Sequence, residues 1–169
     1  MVEGKTMKFL FLLLFYIVTL LAQDSFVGWE NNNKLTSAPI DSDAHNAYVE
    51  IFANSKAAKA YTSVAKEYPI GSIIYKPLYK DAGKKFLVRV VIMQKMYKGY
   101  DSENGDWFYG VSNPKGDNVY TQGRIQHCIL CHKLVKDTDY MFSKSVMKKI
   151  NDKRYTLEKA LLDSELYEE

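Results

Sequence analysis

The segment Cys128-Ile129-Leu130-Cys131-His132 sets two thiols and an imidazole side by side, in the C-x-x-C-H pattern through which a c-type haem is attached. On one helical turn the two sulfurs can form thioethers with both vinyl groups of one porphyrin, and the adjoining imidazole reaches the iron. Axial ligation, pocket polarity and solvent access then tune the metal. Cys128 and Cys131 are the chain's only cysteines, so one covalently attached haem c uses both. His127, Cys128, Cys131 and His132 make a poor tetrahedral zinc set, because adjacent residues rarely ligate one metal and the usual separated ligand pairs are missing. A thioredoxin-like dithiol opens a helix after an early strand, whereas this segment lies late in the chain.

The elements that must position this site read as one α+β domain. With 169 residues, 47% apolar and 25% charged, the chain can bury a core and has no disordered composition. Lys5 and Lys8 precede an apolar run from Phe9 to Ala22, whose length suits a signal peptide over residues 1–22 better than the ~20 residues of a membrane span. Cleavage after Ala22 and a periplasmic or otherwise exported location are expected, with no membrane span in the mature chain. The formal charge of +3 is too small a bias to indicate nucleic acid, though it can guide an acidic redox partner.

Residues 23–44 read as an extended N-terminal segment around Trp29 and Pro39, and residues 45–169 as the haem domain. Ala47 to Asn54 alternates as a strand. Ser55 can cap a helix over Lys56 to Lys66, which Pro69 and Gly71 end. Gly71 to Tyr79 and Lys85 to Tyr97 read as strands joined by a turn at Asp81 and Gly83, and Asn104-Gly105 marks a tight hairpin into Trp107–Ser112. A short segment near Val119 completes an antiparallel meander. After Gly123 the pattern turns helical, first through the C-x-x-C-H segment and then over Ser143 to Asn151 and Thr156 to Tyr167.

Several stretches besides C-x-x-C-H are similar to those of the cytochrome P-460 and cytochrome c′-beta group of exported mono-haem proteins. They are Ile51 to Asn54, Tyr68 to Lys76, Ile92 to Lys95, Gly99 to Asp101, Gly105 to Tyr109, Gly123 and Asp139 to Phe142. The resemblance implies a mostly antiparallel β-fold, a homodimer, His132 as proximal ligand and an open distal position. That position would take nitric oxide or hydroxylamine, with an exported protein as electron acceptor or donor. In the P-460 branch a lysine is joined covalently to the porphyrin, and the resemblance puts Lys76 in its place. If Lys76 is cross-linked, the resemblance implies a hydroxylamine or nitric oxide oxidoreductase.

Departures from that group concern the distal side. Hydroxylamine-oxidising members use a distal carboxylate to accept protons, but Lys84 to Tyr100 contains no Asp or Glu, and Met93 holds the nearest position. Val49 aligns near the family's distal arginine, while Arg89 shares a strand face with Met93 and can enter the pocket from another direction. Phe52, or another aromatic of the first strand, is the candidate cap over an open site. His45, His127, Met93, Met96 and Met141 are the side chains able to close it, giving the alternative of a six-coordinate electron-transfer cytochrome. His45 reads as a surface histidine and the methionines as packing. Asp139 reads either as a partner of the proximal side or as a cap.

Overall fold

The computed structural model describes residues 26–152. The expected signal peptide at 1–22 and the helix over Thr156 to Tyr167 lie outside the described residues. Eight strands form one open antiparallel sheet: β1 (Asn33–Lys34), β2 (Ile40–Ser42), β3 (Ala47–Val49), β4 (Phe52–Ala53), β5 (Ile73–Tyr79), β6 (Leu87–Lys95), β7 (Trp107–Ser112) and β8 (Val119–Gly123). Their order is β1-β4-β5-β6-β7-β8, with β3 pairing β5 beside β4 and β2 pairing β3. Helix α1 (Ser55–Thr62) crosses from β4 to β5, and α2 (Gln126–His132) follows the sheet. A third helical stretch, α3, covers residues 143–152. Fold class and meander are as expected from the sequence.

Some local readings need correction. The segment 23–44 is not a plain lead-in, because β1 and β2 join the sheet and Phe26 and Trp29 are buried. The strand expected over Ala47 to Asn54 is interrupted between Val49 and Phe52, although β3 and β4 meet β5 in one continuous register. Pro77 supplies the reason. Its carbonyl accepts the Glu50 N–H at 3.4 Å, but proline has no N–H to return the second bond of the pair. The cap of α1 is Asn54 rather than Ser55: its Oδ1 accepts the Ala57 N–H at 3.0 Å. Asn104-Gly105 does not form a two-residue turn. Ser102–Asn104 is a 3-10 turn, and the positive φ angles fall at Gly105 and Asp106.

Strand alternation gives the sheet two buried faces. On one, Phe52, Tyr75, Val90, Ile92 and Phe108 pack under Phe26 and Trp29. On the other, Ile51, Ala53, Ile74, Met93, Trp107 and Tyr109 pack against Ala57, Ala60 and Tyr61 of α1 and Ile129 of α2. Ile129 is the buried anchor of α2 and Leu130 is exposed, so the helix lies with Cys128, Cys131 and His132 toward this second face. No helix of the described residues is long and apolar enough to cross a membrane.

Candidate functional site

The cross-strand register arranges the second face in rows. Ile74, Met93 and Tyr109 stand opposite one another across β5, β6 and β7, and Lys76, Val91 and Val111 form the next row. Between these rows and α2 lies a cavity of about 1000 Å³, lined by Lys76, Val91, Val111, Cys128, Cys131 and His132 among others. That is the upper end of the ~300–1,000 Å³ typical of cofactor pockets. A smaller space of about 20 Å³ lies where His132, Lys76, His45, Met93, Met141 and Phe142 meet, room for roughly one water-sized molecule.

His132 is the most constrained residue of the site. It is 7% exposed, and its ring lies edge-on to Tyr109 and Phe142, with centroids 5.5 and 5.2 Å away. Its Nδ1 lies 2.6 Å from the carbonyl oxygen of Tyr140. A carbonyl can only accept, so Nδ1 carries the proton and Nε2 keeps a lone pair for a metal. Burial, then the Lys76 ammonium, push its pKa down to about 4, against a smaller upward pull from the Tyr140 bond. The imidazole is therefore neutral, as a ligand must be.

Lys76 is half-buried and lines both spaces. Burial lowers its pKa to about 8, while Cys131 and Cys128 pull the other way. His45, expected at the surface, instead contributes to both spaces. It is carried there by a 3-10 turn (Asp43–His45), and its Nδ1 lies 3.0 Å from Ser42 Oγ. Burial first, then Lys76, His132, Arg89 and His127, hold its pKa down to about 3.

The other expected residues divide. Met93 is buried beside the small space, Arg89 and His127 stand exposed at the wall of the large cavity, and Val49 lines that cavity as a buried residue. Phe52 lies on the opposite sheet face, edge-on to Trp29 at 5.2 Å, and Met96 packs against that same cluster. Phe142 is the aromatic side chain that meets His132 and both spaces. Asp139 does not bond His132. Its carboxylate pairs with Lys95 at 2.6 Å and its backbone closes the 3-10 segment Lys133–Thr138.

Sequence reasoning weighed His45 as a distal candidate but favoured a surface position, and it missed Phe142 as a pocket residue and Tyr140 as the acceptor for His132. Strand alternation could have placed Tyr109 on the Met93 face. A backbone acceptor leaves no signal in side-chain types.

The donor set fits a covalently held haem. Cys128 and Cys131 open onto the same cavity as His132, and the free imidazole nitrogen is the one a haem iron would need. Burial and the neighbouring Cys131 push the Cys128 thiol up, opposite to the lowered thiol pKa of a reactive dithiol. Among the described residues, no three His, Cys, Asp or Glu side chains form a group able to hold a metal ion by themselves.

No curated protein matches the chain. The family model for cytochrome P460 matches residues 27–143, which takes in the sheet, α1, α2 and the Tyr140 turn. The chain therefore belongs to the cytochrome P460 family, a family of c-type haem proteins.

Proposed function

We propose that this is an exported haem protein that binds nitric oxide or a related small nitrogen species at an open distal iron position. One observation carries the reading: His132, fixed through Nδ1, shares a cavity with both cysteines and with an apolar sheet wall of Val91 and Val111. Cys128 and Cys131 would hold the porphyrin and His132 Nε2 the iron. When bound, the haem supplies a coordination position for a small neutral ligand and one-electron redox chemistry.

The chain's own residues do the rest. Tyr140 fixes the imidazole tautomer, and Tyr109 and Phe142 fix the ring plane. Val91, Val111 and Met93 keep water from the wall opposite α2. Lys76 brings an amine that is partly neutral near pH 8, able to donate to a bound ligand or to bond to the porphyrin edge. The carboxylates at this cavity, Asp41 and Asp43, stand exposed at its β2 end. The wall at Met93 holds none, so ligand binding fits it better than proton-coupled oxidation. Hydroxylamine or nitric oxide oxidation is reserved for a protein with Lys76 joined to the porphyrin.

His45 favours a second reading. It reaches the same spaces as His132 with its Nδ1 already engaged, so Nε2 could close the sixth position and make an electron-transfer cytochrome. Export rests on Lys5, Lys8 and the apolar run to Ala22, and on the extracytoplasmic setting of thioether attachment. An exported electron donor or acceptor and a second copy of the chain complete the proposed partners.

Intact-protein mass of the exported protein tests the premise. The expected result is one haem per chain that survives denaturation and is lost in a Cys128→Ala, Cys131→Ala double variant. A haem-free mass after expression with the attachment machinery would overturn it.

A further inference from the structure

The carbonyl that holds His132 belongs to Tyr140, and both Tyr140 and its neighbour Asp139 have positive φ, 62° and 52°. Neither is glycine, so this backbone is strained and must be held by its surroundings. The ties are specific. Lys95 Nζ lies 2.7 and 2.6 Å from the two Asp139 carboxylate oxygens. The Tyr68 N–H donates to Asp139 Oδ2 at 2.8 Å, and the Trp107 indole N–H donates to the Asp139 carbonyl at 2.8 Å. Lys95 also donates to the Gly105 carbonyl at 2.9 Å. A Cβ on Gly105 would collide with the Tyr140 ring, so the loop lies flush against that ring.

Lys95 and Asp139 are both buried, line neither space of the haem site and do not touch His132. A buried ion pair is a poor source of stability, because desolvation offsets its attraction. It is a good source of geometry, since two carboxylate oxygens and one ammonium fix direction as well as distance.

We propose that the Lys95–Asp139 pair is a positioning device for the proximal imidazole. By holding the 139–140 turn, it keeps the Tyr140 carbonyl as a close acceptor for His132 Nδ1–H. A strong bond there increases electron donation through Nε2, and second-shell acceptors of this kind tune a metal's properties. Lys95 and Asp139 thus act on the iron through a backbone carbonyl. The inference rests on His132 as the iron ligand.

The test uses the haem-loaded protein, reading the iron–histidine stretching band of the ferrous state and the reduction midpoint. In Lys95→Met the band should move to lower frequency and the midpoint should rise, because the weakened acceptor makes the imidazole a poorer donor. Lys95→Arg should restore both toward the parent values. Asp139→Asn, which keeps the shape and the Tyr68 contact, should shift both in the same sense by less. Gly105→Ala, which presses on Tyr140 from the other side, is a second route to the same shift if Lys95→Met does not load haem. A lower melting temperature with band and midpoint unchanged would overturn the inference and leave a purely structural pair. Absence of the band in the parent protein would instead overturn the open-site reading beneath it.

Discussion

Lys76 on β5 and His132 on α2 line the same cavity, and the lysine's charge depresses the histidine's pKa. The sheet and the helix after it thus meet at one point, with a cation facing a neutral imidazole. Lys76→Gln should remove that repulsion and raise the His132 pKa from about 4 toward its ordinary 6.5, without abolishing the larger effect of burial. In the haem-loaded protein the acid midpoint for loss of histidine ligation should therefore move to higher pH. An absorbance titration checks this, and an unchanged midpoint would count against the coupling.

His45 should act on the bound ligand. Losing one neutral hydrogen bond is worth about 1 kcal/mol, so His45→Ala should release nitric oxide roughly fivefold faster while leaving the ferric spin state as it was. Stopped-flow dissociation and the ferric spectrum measure the two separately. A conversion from low to high spin would show His45 to be the sixth ligand and favour the electron-transfer reading.

Stability should fall on acidification from pH 6.5. The folded state holds His132 and His45 neutral until pH values near 4 and 3, whereas the unfolded chain takes up those protons near 6.5. The unfolded state then binds more protons, so stability rises with pH across that window and is lost as pH falls. Glu50 adds to the same trend. Burial raises its pKa, but bonds from Lys34 and Lys84 outweigh that and leave it lowered, so its contribution is present above 4.5 and lost as pH falls through the folded value. By about pH 8 both histidines are neutral and Glu50 is ionised in either state, so their contributions level off. Above 8, Lys76 loses its proton in the folded state before the unfolded one and adds stability, while the tyrosines that burial keeps protonated in the folded state oppose that gain as pH nears 10. Melting temperatures across pH 4 to 10 test the profile.

Asn54 and Glu50 carry stability away from the haem site. Asn54 caps α1 while also accepting the Ile73 N–H at 3.2 Å and donating to the Gly71 carbonyl at 2.8 Å. A lost cap alone costs ~1 kcal/mol, and Asn54→Ala should lose about twice that with no change in the haem spectrum. Glu50 is 2% exposed and accepts from Tyr79, Lys34 and Lys84. Both lysines are more than a third exposed and can rehydrate, so Glu50→Ala should cost only about 1–2 kcal/mol. Chemical denaturation of each variant gives the values.

What was legible in the sequence follows from periodicity and motif. Strand alternation alone sets Lys76 on one face of β5 with Ile74 and Leu78, and Arg89 with Met93 on one face of β6, while the covering of that face by α2 is a tertiary fact. The break between Val49 and Phe52 was not legible, because it arises from a proline on the neighbouring strand. Phe52 was assigned to the distal side by family likeness, yet its parity with Tyr75 in the pairing turns it toward Trp29. His45 reads as a surface residue from sequence because its place depends on a 3-10 turn that folds a polar stretch back over the sheet. The Tyr140 carbonyl is a backbone group in a left-handed turn, which no side-chain pattern announces.

The central claim is a haem beside His132 with a position open to small ligands. The most direct test is the absorbance spectrum of the reduced protein before and after adding nitric oxide. The account predicts a high-spin ferrous spectrum that converts on mixing to that of a nitrosyl complex. A low-spin spectrum in both oxidation states, unchanged by nitric oxide, would contradict it.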